Sequence, residues 1–155
     1  MKSLVTVFRE RHGFTMIEVV VVLILLVVFS SLVLSMFSTS NVELIAQSEI
    51  LKSHLRYAQI KAMNDTVTWG ISFSTATTYT LQRSGITAPS SNNLPGDNSQ
   101  THTLTNGVTI TSGVGTSVTF NEWGSPGGVD FIVILIPSQG SATTITITKN
   151  TGFIP

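Results

Sequence analysis

The chain has 155 residues, eight basic and eight acidic side chains, a formal charge of zero and no cysteine. Nothing in that balance suggests a broad electrostatic attraction to nucleic acid or anionic lipid. The missing thiols exclude disulfides and thiolate metal centres, and leave the redox compartment open.

The first residues carry Lys2, Arg9 and Arg11, followed by His12-Gly13-Phe14-Thr15-Met16-Ile17-Glu18 and an unbroken apolar run from Val19 to Phe29. From Phe14 to Phe37 the only polar side chains are Thr15, Glu18, Ser30, Ser31 and Ser35. As a helix at ~1.5 Å per residue this stretch reaches about 36 Å, enough for a hydrocarbon core of ~30 Å with some tilt. No basic residue follows the run until Lys52. The expected topology is therefore a single pass with the N-terminus cytoplasmic and the remainder translocated.

Two plain alternatives are a secretory signal peptide and a simple signal anchor. A secretory signal has an apolar core of about 7 to 15 residues before a small-x-small cleavage site. Ser38-Thr39-Ser40 has the composition of such a site, but the run before it is too long. An uncleaved anchor fits the length and has no use for Glu18, because an ionised carboxylate at bilayer depth costs roughly 3 kcal/mol or more.

Gly13-Phe14-Thr15-x-x-Glu18 ahead of a long apolar helix, with a short basic leader, resembles the prepilin N-terminus of type IV pilins and type II secretion pseudopilins. The resemblance implies cleavage between Gly13 and Phe14 by a membrane prepilin peptidase, and N-methylation of Phe14. It also implies three kinds of partner: the peptidase and N-methyltransferase, other pilins or pseudopilins, and an inner-membrane assembly platform. Cleavage turns the amide nitrogen of Phe14 into an amine that carries a proton at neutral pH. In a bundle of parallel helices, Glu18 of one subunit then pairs with the new ammonium of a neighbour, with a smaller favourable contribution from the helix dipole. Leaving either charge alone in lipid is costly, so the pair is expected to set register and recruitment more than net stability. Loss of Lys2, Arg9 and Arg11 against Glu10 leaves five basic and seven acidic side chains, a balance of −2.

Beyond the polar passage Ser38-Thr39-Ser40-Asn41, residues Leu44, Leu51, Leu55, Ala58 and Ala62 share one helical face. Glu43, Gln47, Lys52, Arg56 and Gln59 are expected on the other. The long helix should thus continue as an amphipathic half ending near Asn64-Asp65, with its stripe on a sheet. The stripe is too short for a coiled coil, and its polar face is not basic enough for a membrane surface.

The remainder reads as strands. Val67 to Phe73 and Thr78 to Arg83 form an expected hairpin, and Ser84 to Gln100, rich in Ser, Asn, Pro and Gly, an exposed loop. Further strands are expected at Val108 to Thr111, Ser117 to Asn121, Phe131 to Ile136 and Thr143 to Thr148. Turns fall at Gly124-Ser125-Pro126-Gly127-Gly128 and Ser138-Gln139-Gly140-Ser141. Phe131 to Ile136 is apolar on both faces and reads as a central strand, whereas Thr144 to Thr148 alternates and should bury only its isoleucines. The expected class is α+β, a pilin-like fold with a long N-terminal helix on an antiparallel sheet. Its parts are a leader at 1–13, a transmembrane half-helix at 14–37, an amphipathic half at 38–64, and a periplasmic β-rich part at 65–155.

Phe120-Asn121-Glu122-Trp123-Gly124-Ser125-Pro126 and the closing Thr151-Gly152-Phe153-Ile154, together with Leu51 to Met63, resemble the GspH/FimT type of minor pseudopilin and minor pilin. The resemblance implies a structural subunit of a type II secretion pseudopilus, or alternatively a minor type IV pilin. Some minor pilins bind DNA through basic residues near the C-terminal glycine, but Lys149 to Pro155 holds one cation, so nucleic acid is not an expected partner.

No enzyme motif is present. His54 and His102 read as surface histidines, and Trp69 and Trp123 as core or subunit-contact residues. Asp97, His102, Glu122 and Asp130 match no recognised metal-binding loop. The expectation is accordingly no catalytic residue, no metal and no cofactor.

Overall fold

The computed structural model describes residues 14–36, 39–138 and 140–155, and side chains over the same stretches apart from 31–40. Lys2, Arg9, Arg11 and Gly13 lie outside the described residues, as do Ser38 and Gln139. The chain divides into two compact units, Met1–Ser38 and Thr39–Pro155. It is an α+β protein: helix first, then antiparallel strands.

In the first unit, helix α1 spans Met16–Met36. From Met16 to Phe29 every side chain but Glu18 is apolar and all are exposed, so this part of the helix has no polar face. Among the described residues no helix is long and apolar enough to cross a membrane. The backbone of α1 has 21 residues, about 32 Å at ~1.5 Å each, but its side chains are described only as far as Ser30.

In the second unit, helix α2 spans Thr39–Met63. Leu44, Leu51, Leu55, Ala58 and Ala62 are buried as the stripe predicts, packed with Ile71, Phe73, Leu81, Phe120 and the other core residues. Gln47 departs from the expected polar side and is 6% exposed. It lies three residues after Leu44 and four before Leu51, a spacing that faces the core whatever the residue type.

The strands form two antiparallel sheets rather than the single one expected. The first holds β1 (Trp69–Ser72), β2 (Thr78–Arg83), β3 (Ile86–Thr87), β4 (Thr101–Thr103) and β6 (Ser117–Phe120). Its order is β3-β2-β1-β6, and β4 also pairs with β2. The second has the order β5-β7-β8, from β5 (Thr109–Ser112), β7 (Phe131–Ile136) and β8 (Thr143–Ile147). The all-apolar β7 is central, and β8 buries Ile145 and Ile147. Gly70 in β1 is required by packing, because a Cβ there would run into the Val118 carbonyl of β6.

The segment from Ser84 to Gln100 is not simply an exposed loop. It contributes β3 and buries Ala88 and Leu94. Leu94-Pro95-Gly96-Asp97 closes a turn through Asp97 N–H to Leu94 O at 3.0 Å, with Gly96 at φ 85°. Proline followed by a left-handed glycine is the sequence of a type II turn.

The end of α2 is tied down twice. Asp65 accepts from Arg83 Nε at 2.9 Å and Nη2 at 3.2 Å, and from Trp69 Nε1 at 2.9 Å. The Arg83 guanidinium, then the Trp69 indole, hold its carboxyl down at about 2. One turn earlier, Gln59 Nε2 donates to Gly124 O at 2.8 Å and Gly152 O at 3.1 Å, and Arg56 donates to Ile154 O at 3.0 Å. Two residues expected to face away thus hold the 121–125 turn and the final segment against the helix.

Candidate functional site

The helix carrying Glu18 starts in a specific way. Thr15 stands just before Met16, and its Oγ1 accepts the Glu18 N–H at 3.3 Å. Its carbonyl accepts from Glu18 at 3.1 Å and Val19 at 3.3 Å. Thr15 is therefore the N-cap and Glu18 the third helical residue, the Thr-x-x-Glu arrangement that favours helix starts. Phe14, one residue before the cap, lines a shallow depression of about 250 Å³ with Glu18, Val19, Val22 and Leu23. An apolar residue before the cap beside one on the next turn fixes the entry of the chain into the helix. The cap is legible in the sequence from Thr15 and Glu18 alone, a signal that charge and hydropathy do not carry.

This geometry gives Glu18 a local task. A carboxylate in the first helical turn faces unsatisfied N–H groups and the positive end of the dipole. Phe14 is 83% exposed, so its nitrogen and ring sit at the outside of the unit. Among the described residues no cation is within ion-pair distance of Glu18.

A second group of polar residues lies in the Thr39–Pro155 unit. His54, expected at the surface, is 1% exposed. It comes three residues after Leu51 and four before Ala58, on the buried side of α2. Its Nε2 lies 2.9 Å from Pro95 O and its Nδ1 2.8 Å from Tyr79 Oη. Burial lowers the pKa of His54 below its ordinary 6.5, so the ring is neutral at pH 7. A carbonyl only accepts; the proton is therefore on Nε2, and Nδ1 accepts from the Tyr79 hydroxyl. Burial raises the pKa of that hydroxyl, which keeps its proton.

His102, also expected at the surface, is buried on β4. Its Nδ1 lies 2.7 Å from Asp97 Oδ2 and its Nε2 3.2 Å from Gln47 Oε1. Gln47 Nε2 in turn donates to Thr105 Oγ1 at 2.9 Å. The two histidines are placed by their neighbours in sequence: the helical period carries His54 inward, the alternation of β4 carries His102 inward, and the Pro95-Gly96 turn swings Asp97 over both.

The four residues weighed as metal ligands from sequence are thus divided. Asp97 and His102 meet, and His54 joins them. Asp130 instead accepts the Lys149 N–H at 2.7 Å, and Glu122 lines an open groove of about 430 Å³ beside Met63, Asp65 and Trp123. Trp69 is a core residue, whereas Trp123 is 78% exposed.

Residues 8–34 match the family model described as the prokaryotic N-terminal methylation motif. No curated protein and no solved structure matches the chain. The motif implies processing by prepilin peptidase and assembly with other pilins. The matched residues are those that bear the Gly13-Phe14 junction, the Thr15 cap and Glu18. This prepilin-type signal, in front of a helix and an antiparallel β unit, fits a type IV pilin-like or pseudopilin protein.

Proposed function

We propose that the protein is a minor pseudopilin, a structural subunit of a type II secretion pseudopilus, and performs no catalysis of its own. In this reading prepilin peptidase removes residues 1–13, Phe14 becomes the N-methylated first residue, and residues 14–37 hold the subunit in the bacterial inner membrane. The N-terminus is cytoplasmic, and the Thr39–Pro155 unit lies in the periplasm until assembly.

The observation that carries this reading is Glu18 in the first turn of a helix that is apolar on every side. Within a single chain its carboxylate has the helix start to face; beside a second helix it also has the Phe14 ammonium of the neighbour. Removal of the leader creates that cation, so processing and recruitment are linked by charge.

Intact-mass measurement on the native protein tests the processing. The expected mass is that of a chain beginning at Phe14 with one added methyl group; a chain beginning at Met1, or cut well downstream of Gly13, overturns it. Glu18→Ala tests recruitment. The variant should be processed normally and lose co-purification with partner pilins, and wild-type co-purification would remove the pairing role.

A further inference from the structure

We propose that His54, Asp97 and His102 form a binding site for a divalent transition-metal ion of the zinc class. The inference is independent of the function proposed above. One ring nitrogen of each histidine and a carboxylate oxygen of Asp97 lie within 4.8 Å of one another. Around a tetrahedral ion with bonds of ~2.1 Å, such atoms stand about 3.4 Å apart. Reaching that spacing asks the longer separations to shorten and the His102–Asp97 pair, now 2.7 Å apart, to open, and Asp97 ends a four-residue turn whose glycine bears no side chain to obstruct it.

The surroundings of the imidazoles favour an ion. A metal-bound histidine typically donates its other N–H to a carbonyl or carboxylate, which fixes the ring. Here Nε2 of His54 is on Pro95 O and Nε2 of His102 is on Gln47 Oε1. Both rings are therefore held by the far nitrogen, and the coordinating atoms would be Nδ1 of His102, now on Asp97, and Nδ1 of His54, now on the Tyr79 hydroxyl.

A metal cation can take the place of the proton between His102 and Asp97. Its two nitrogens face two acceptors, Asp97 Oδ2 and Gln47 Oε1. A neutral imidazole has one N–H and satisfies one of them. An ion between Nδ1 and the carboxylate satisfies the other and neutralises Asp97. The cost is the hydrogen bond from Tyr79 to His54 Nδ1, which the ion displaces.

The donor set selects the metal. Two nitrogens and one oxygen suit zinc, cobalt or nickel, whereas calcium and magnesium require oxygen cages. Three protein ligands leave a fourth position for water. Asp97 is the most exposed of the three, with 28% of its side chain accessible, and gives the ion its way in. Once bound, the ion would fasten the 84–100 segment to α2 through His54 and to β4 through His102.

The test is a titration of the full-length protein, purified in detergent and stripped with a chelator, with Zn²⁺ alone and with Co²⁺ as the visible analogue. The expected result is one tightly held equivalent, the cobalt spectrum of a four-coordinate nitrogen-oxygen site, and a raised unfolding temperature. Asp97→Asn should weaken zinc at least about tenfold, since even outer contacts to ligands cost that much. His12→Ala, which removes the third histidine of the chain, should leave binding unchanged. Binding unaltered in Asp97→Asn, abolished in His12→Ala, or absent at micromolar zinc overturns the proposal. Should Asp97→Asn fail to fold, X-ray absorption of the wild-type zinc complex decides: two imidazoles in the coordination shell sustain the site, and fewer overturn it.

Discussion

The two helices, of 21 and 25 residues, are built on opposite plans. Along α1, Val19 to Phe29 stay 47–70% exposed, whereas on α2 Leu51, Leu55, Ala58 and Ala62 are completely buried. Apolar area exposed at such density is a surface awaiting contact, and apolar area at zero exposure is a finished core. The first helix thus leaves its apolar surface to be covered from outside its own unit, while the second finds its partners within its unit.

Substitutions can break this contrast. The largest expected effect is in α2. Leu55→Ala leaves a cavity in the closed core and should cost about 2–5 kcal/mol, read as a lowered unfolding temperature by circular dichroism. An unchanged temperature would show that the stripe is not what holds the second unit.

A smaller effect comes from acid. The Asp65 carboxyl sits at about 2 in the fold against an ordinary 3.8, so the unfolded chain takes up the proton first as pH falls. Its contribution is complete above about pH 4 and is lost as pH drops through about 2. Unfolding midpoints measured across that window should decline, and Arg83→Gln should flatten the decline. An identical slope in the variant would remove Arg83 as the cause.

The smallest effect is expected in α1. Val22→Ala removes methyl groups from a side chain of the first unit that is 48% exposed and should change unfolding of the Thr39–Pro155 unit by less than about 0.5 kcal/mol. A loss comparable to that of Leu55→Ala would erase the distinction between the helices.

Much of this architecture is legible in the residues. The bounds of β2 and β7 follow from alternation and from a continuous apolar run, and the α2 stripe from its period. The signal at Gly13, Phe14 and Glu18 is local, so it needs no tertiary information. The inward turn of Gln47 and His54 follows the same period as the leucines, against the polarity of the two side chains. Strands β3 and β4 have only two and three residues, too short to stand out as strands in the sequence, and both pair with β2. The meeting of Asp97 with His54 and His102 depends on how a turn folds back over a helix more than forty positions away, and no spacing rule encodes that.

Trp69 is 3% exposed, with the Lys61 ammonium 5.6 Å and the Arg83 guanidinium 5.8 Å from its ring, whereas Trp123 stands out in water. The chain consequently carries two built-in fluorophores of opposite kind. Acrylamide should dim the long-wavelength emission of Trp123 while sparing the shielded, bluer emission of Trp69. The wavelength of the residual light then reports the state of the core without any attached dye.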